Sequence, residues 1–448
     1  MTHDLNAVTQ QLLSAARAAG AEDADAIAVA GTSLSVDVRA GALEQAERSE
    51  GVDIGLRVLL GRRQACVSAS DLREQTLREM AERAVAMARE APEDPNIGLA
   101  DAAELAQHRD ATVLQLDDPA AEPAAAALEA DARAAEAAAL AVPGVAQVQA
   151  SSAGYGRQQL HLAATNGFSG GYARSSRMTS CVAITGEGTA MERDGYGESR
   201  CFQSDLPDPA EIGRIAAERA VARAGARRPR TGAYPVVYDE RVAASLIGHL
   251  LAAINGTAIA RGASWLRDAL GTQILPADLT LAEEPHRPRI GASRLFDAEG
   301  LATRRRDLVA AGRLEGWVLD LGTARKLGLS STGNASRSPG APPAPSVTNV
   351  TLTQGAADRA ALLRQMGDGL LVTAMMGASI NPTTGDYSRG ASGFWVEKGE
   401  IAFPVNECTI AGNLRDMLRS LVPANDARPY RSHMVPSLLV EGLTIAGE

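Results

Sequence analysis

Between residues 5 and 91 the hydrophobic period of the chain changes twice, and this limits the fold more than any other feature. Leu5, Val8, Leu12, Leu13 and Ala16 recur at helical spacing and Gly20 follows as a stop, which predicts a helix over residues 5–19. Leu34, Val36 and Val38 then alternate with Ser33, Ser35, Asp37 and Arg39, the two-residue period of a half-buried strand. Further strands are expected over 52–60 and 64–70. A helix over 71–91 follows, with Asp71 as its N-cap and Leu77, Met80, Ala84 and Met87 as its buried stripe.

The same mixture continues. A polar, proline-bearing crossover spans 91–119, and an Ala-rich helix spans 120–141, ended by Pro143 and Gly144. Strands are expected over 145–152, 158–165 and 171–185, then a helix over 209–224. The charged, aperiodic stretch RAGARRPRT at 223–231 marks the main boundary near residue 230, dividing the chain into 1–230 and 231–448. Beyond it come a short strand over 234–238 and a helix over 239–254 capped by Asp239. Val242, Leu246, Leu250 and Ile254, widened by Ala243, Ile247 and Leu251, make that helix mostly buried. Short strands follow over 307–311, 314–319, 347–352, 370–375, 390–398 and 400–404, with Lys398-Gly399 as a hairpin turn. A helix over 414–421 and a strand over 437–443 end the pattern, and 331–346 (STGNASRSPGAPPAPS) reads as a mobile surface loop. The fold class is α+β: an N-terminal mixed α/β region, then a strand-rich, barrel- or sandwich-like region holding one buried helix.

Lys plus Arg number 44 against 54 Asp plus Glu, a net charge of −10, and aromatics are 3%. Neither a cationic surface for phosphates nor a set of base-stacking platforms is available, so no nucleic acid is expected as a partner. No basic-then-apolar leader opens the chain and no run reaches the roughly 18 apolar residues of a spanning helix, so no membrane association is expected and the chain reads as cytoplasmic. Cys66, Cys181, Cys201 and Cys408 form no C-x-x-C pair and read as buried or idle thiols.

A search for chemistry returns little. The six histidines, His3, His108, His161, His249, His286 and His433, include no pair close enough to share a helix turn, the usual start of a catalytic zinc site. There is no G-x-S-x-G elbow and no Walker A sequence. His249, on the buried helix, could be a ligand or base, but it has no metal-ligating neighbour one turn away and reads as a satisfied core or interface histidine. The densest cluster of unusual residues is 385–418, where Asp386, Tyr387 and Arg389 precede Phe394 and Trp395. Two readings of it stay open on chemistry alone: the rim of a groove for an extended peptide or partner edge, or a hairpin with core aromatics and solvated charges.

At this cluster the sequence resembles the TldD/PmbA family, within it the PmbA branch, also called TldE. The resemblance rests on GDYSRGASGFWVEKGEI at 385–401 and P-V-x-E-x-T-I-A-G-N-L at 404–414. ARKLGLSSTGNA at 324–335, FDAEG at 296–300, the segment 238–264 and the segment 41–72 support it. It implies a relation to a metallopeptidase, TldD, whose helix carries H-E-x-x-x-H with a cysteine ligand near the C-terminus. Here Gly248 and Ala253 stand where the two histidines would be and His249 where the glutamate would be, and RSHMVPSLLVEG at 431–442 holds no cysteine. The resemblance therefore implies a chain without a metal or catalytic residues of its own, zinc being supplied by a TldD-like partner, and a peptide substrate shared between the two. The isolated chain is expected to be a homodimer. Asp386, Tyr387, Arg389, Trp395 and Asn413 are the candidate substrate- or partner-binding residues, Asp386 holding a peptide amine or orienting Arg389. The alternatives are a stand-alone hydrolase with a site built from distant residues, and a homodimeric peptide-binding protein.

Overall fold

The computed structural model describes residues 4–447, so His3 lies outside the described residues. The N-terminal half is built on one antiparallel sheet. Its strands are β1 (Asp23–Arg39), β2 (Ala42–Leu60), β3 (Arg63–Ala69), β4 (Val145–Ala164), β5 (Ser169–Thr185) and β6 (Glu192–Arg200), in the order β3-β2-β1-β4-β5-β6. Helices α1 (Leu5–Ala18) and α2 (Glu74–Glu90) cover one end of one face, burying Ala24, Ala26, Ala28, Ile54, Leu56 and Val58. Along the same face Leu34, Val36 and Val38 pack under α3 (Ala125–Leu140), and α4 (Pro209–Val221) packs beside it over Cys181 and Ala183. The opposite face carries Ile27 and Leu162, which meet Phe296 and Leu301 of the C-terminal half in a shared apolar cluster.

In the C-terminal half five strands close into a barrel. These are β7 (Gly232–Tyr238), β8 (Gly369–Ile380), β9 (Asp386–Glu397), β10 (Glu400–Asn413) and β11 (Leu438–Ala446). The order β10-β9-β8-β7-β11 is sealed where Thr409, Ile410 and Ala411 pair with Ala446, Ile445 and Thr444. A second, five-stranded sheet joins Leu281–Glu283, Arg306–Ala310, Arg313–Leu314, Val350–Leu352 and His433–Met434. The helix α5 (Glu240–Ala253) follows β7 directly and buries Ala243, Leu246, Ile247, Leu250 and Leu251 in the largest core, shared with both sheets. On the far side Val237, Leu371, Phe394, Val396 and Leu439 pack under α6 (Arg359–Met366), so the barrel strands are apolar on both faces. The α+β reading, with a barrel and one buried helix in the second half, matches this architecture.

Several local expectations are corrected. Helix α2 starts at Glu74, because Asp71 spends its carboxylate on the Arg73 amide and the Thr76 hydroxyl before the helix begins. Met87 is 47% exposed, and Ala81, Val85 and Ala88 complete the stripe in its place. The two strands expected over 145–165 are one, β4, and β6 has no counterpart in the pattern. Of 314–319, Leu314 alone is in a strand. Segment 331–346 is not a loose loop: Asn334, Ala335 and Pro345 are buried and the Arg337 side chain is 0% exposed. It straps the C-terminal half onto the first sheet, passing so close over Gly55 that a Cβ there would run into the Pro339 carbonyl. The hairpin turn at Lys398-Gly399 is where the sequence puts it, both residues having positive φ (53° and 82°).

Candidate functional site

Helix α5 and the β8–β9 hairpin build the site together. Asp239 caps α5 through the Arg241 amide at 3.3 Å and, itself 2% exposed, is ion-paired with Arg241 and Arg359. Its own amide donates to the Val372 carbonyl at 3.0 Å, which fastens the start of the helix to β8. Ser245 then reaches the Met375 sulfur of β8 at 3.7 Å. One turn on, the His249 ring meets the Tyr387 ring of β9 edge-on, with centroids 5.8 Å apart. The Tyr238 hydroxyl, at the end of β7, donates to that of Tyr387 at 3.4 Å.

The electrostatics follow from burial beside a cation. Burial, and after it the Arg389 guanidinium, lower the pKa of His249 below its ordinary value, which favours the neutral imidazole at pH 7. Burial raises Tyr387 and, more strongly, Tyr238, so both phenols stay protonated. His249 Nε2 is buried without a hydrogen-bond partner, and a Cβ built on Gly248 would meet nothing within 4 Å. This turn of α5 therefore looks onto open space beside the hairpin, while Ala253, at 5% exposure, is turned into the core. Among the described residues no three His, Cys, Asp or Glu side chains gather closely enough to hold a metal ion.

The five candidate binding residues do not act as one group. Tyr387 and Trp395 are each 3% exposed, and Trp395 lies edge-on to Tyr234 at 4.9 Å and stacked with Phe403 at 6.4 Å, so both belong to the core. Asp386 is exposed, but it does not orient Arg389. It accepts from the Thr384 hydroxyl at 2.6 Å and the Asn413 amide at 3.0 Å, and these bonds hold its carboxyl below the usual range. Asn413 also caps the short helix α7 (Leu414–Arg419) through the Arg415 amide, which explains that residue type there. Arg389 is half-buried and spends Nε on the Gly377 carbonyl at 2.7 Å, near the exposed end of β8. Sequence reasoning missed Tyr238; a tyrosine closing a strand just before a capped helix, in a chain with 3% aromatics, was the available signal.

A six-stranded sheet joined to a barrel that holds a helix beside a hairpin defines a two-part architecture of mixed helices and strands. Three successive parts of the chain match family models: PmbA/TldA metallopeptidase domain 1 over residues 24–88, the central domain over 116–224, and the C-terminal domain over 231–447. The chain is 37% identical over 434 residues to metalloprotease PmbA of Escherichia coli O157:H7, covering 96% of this chain and 94% of that protein. It is 36% identical to a metalloprotease PmbA homolog of Haemophilus influenzae, covering 92% and 90%. The chain belongs to the PmbA/TldD metallopeptidase family. A solved structure from Bacteroides thetaiotaomicron is similar over all of both chains, with TM-score 0.92 and 26% identity. TldE from Thermococcus kodakarensis shares the fold at TM-score 0.85, with 19% identity and 98% and 100% coverage. Among the described residues no helix is long and apolar enough to cross a membrane.

Proposed function

We propose that this chain is the metal-free, PmbA/TldE-like subunit of a heteromeric peptidase that processes or degrades short or unfolded peptides in the cytoplasm. A TldD-like chain would supply the zinc, and the two would share a peptide-sized space beside α5. The observation that carries the reading is the side-chain chemistry of α5. Gly248 and Ala253 occupy the positions that the resemblance assigns to histidine ligands, and neither has a side-chain donor for a metal. A neutral His249 and the cationic Arg389 then remain as groups able to bind a peptide's carbonyls or carboxylate. The residues at this helix do not fit a zinc centre, and no catalytic step is assigned to them.

The test is elemental analysis of the purified chain, followed by reconstitution with a TldD-like chain. Less than a tenth of an equivalent of zinc and no peptidase activity alone, with activity on mixing, is the expected result. A full equivalent of tightly held zinc, or cleavage of an unfolded peptide by the isolated chain, would sink the proposal in favour of a stand-alone hydrolase. Peptide binding by a homodimer that no TldD-like chain activates would favour a pure binding protein.

A further inference from the structure

We propose a halide site in the seam between the two halves of the chain, where Arg294 and Arg337 line a cavity of about 60 Å3 under the strap 335–346. Arg337 reaches down from the strap and donates Nη1 to Asp25 of β1, while its Nε and Nη2 are buried with no partner. Arg294 holds both ends of the strap, donating Nη1 to the Ala335 carbonyl at 3.1 Å and Nη2 to the Ser346 carbonyl at 2.9 Å. Its Nε is also buried with no partner. Three guanidinium N–H groups thus end in the seam with no acceptor among the described residues, and an unmet buried charged donor carries its full desolvation cost.

The rest of the lining narrows the ligand. Ile27, Leu160, Leu162 and Phe296 are apolar. Asp297 also lines the cavity, but its carboxylate is saturated by backbone: one oxygen accepts from the Glu299 and Leu301 amides, at 2.9 and 3.0 Å, and the other from Ala335 at 2.9 Å. Asp25 is shared between Arg337 and Arg57, and with Arg57 and Glu299 it lines a neighbouring small cavity; Asp320 is engaged in capping Leu321–Leu327. Of the charged side chains that line the cavity itself, two are the guanidinium groups of Arg294 and Arg337 and one is the carboxylate of Asp297, so the lining is cationic on balance. A monatomic anion accepts from several donors at once and asks for no acceptor in return. A tetrahedral oxyanion would bring four oxygens to a lining that is mostly apolar beyond the two arginines, with only the Tyr172 and Ser336 hydroxyls and the Asp297 carboxylate besides. The inference does not depend on the peptidase reading, since none of these residues lies at α5.

Crystals of the full chain grown in sodium bromide test it directly. The expected result is an anomalous peak at the bromine edge within hydrogen-bond reach of Arg294 Nε and of Arg337 Nε or Nη2. A water alone at that place overturns the site. In solution, chloride and bromide should raise the melting temperature by several degrees over gluconate at equal ionic strength, and Arg337→Gln should abolish the difference. Identical curves in the three salts overturn the proposal. A bromide peak with no halide-specific shift would mean binding at crystal concentration only, and would overturn it as well. If Arg337→Gln does not fold, the wild-type diffraction and the wild-type salt comparison decide the matter.

Discussion

Arg389 sits half-buried on β9 with the Gly377 carbonyl as its backbone acceptor, the Tyr387 phenol beside it, and no ion pair among the described residues. Its removal strands no buried charge, so Arg389→Ala should change the stability of the isolated chain by less than about 0.5 kcal/mol, as is usual away from buried pairs. The same change should reduce the peptidase activity of the chain reconstituted with a TldD-like partner; unchanged activity would remove Arg389 from the peptide-binding surface. The histidine one layer away gives an independent readout. Burial first, and the Arg389 charge second, depress the His249 pKa, so Arg389→Ala should move its NMR titration midpoint upward, toward the ordinary histidine value. The sign for stability follows. The folded imidazole takes up its proton at lower pH than the unfolded one, so this group lowers stability as pH falls through the ordinary histidine range. That decline should be shallower in the variant. A His249 midpoint that does not move would show that the guanidinium is too far away, or too well solvated, to matter.

At the scale of elements, legibility in the sequence tracked how one-sided an element's surroundings are. Helix α5 was readable because one continuous stripe and the Asp239 cap announce it. The outer half of β2 was not, because residues 42–51 are exposed throughout and carry no alternation to read. Strand β9 looked like a rim because alternation cannot reveal that both of its faces are covered, Trp395 toward α5's core and Phe394 toward α6's. The strap misled for a related reason: proline and serine composition suggests mobility, whereas one buried arginine and a close passage over Gly55 fix it. Two glycines turn these differences into measurements. Gly248 lies inside α5 with open space around a prospective Cβ, so Gly248→Ala should stabilise the isolated chain by about 0.5–1 kcal/mol through helix propensity. Gly55→Ala drives a methyl group into the strap's backbone and should cost about 1–3 kcal/mol. Urea unfolding of the two variants checks both signs. A neutral Gly55→Ala would show that the strap rides loosely over the sheet.

At the scale of the whole molecule β6, the strand that periodicity did not reveal, links the two halves by charge, and Glu198 is the carboxylate at the centre of that link. The Glu198 side chain is 1% exposed. It accepts from the Tyr196 hydroxyl at 2.6 Å and pairs with Arg200 at 2.7 Å within the N-terminal sheet, then with Arg428 at 2.9 Å and Arg431 at 3.7 Å from the C-terminal half. Arg428 goes on to Glu240, in the first turn of α5, and Asp194 of β6 holds Arg241 of the same turn at 3.2 Å. The placement of the site helix is therefore tied to the N-terminal sheet through charges. Burial alone would raise the Glu198 pKa, but the Tyr196 hydroxyl and the arginines outweigh it and hold the carboxyl below its ordinary value. A depressed folded pKa means that its stabilisation is present above the ordinary glutamate range and is lost as pH falls through the folded value. Glu198→Gln should accordingly cost about 3–5 kcal/mol near neutral pH, because it leaves Arg200 buried without its anion and Arg428 with Glu240 alone. The deficit should shrink in acid, where the wild-type carboxyl is itself protonated. Since Glu240 and Arg241 open α5, hydrogen exchange in Glu198→Gln should quicken at the N-terminal turn of that helix as well as along β6. A deficit under 0.5 kcal/mol, or protection lost on β6 but kept at α5, would show that apolar contacts such as Ile27 and Leu162 against Phe296 hold the halves together without this clamp.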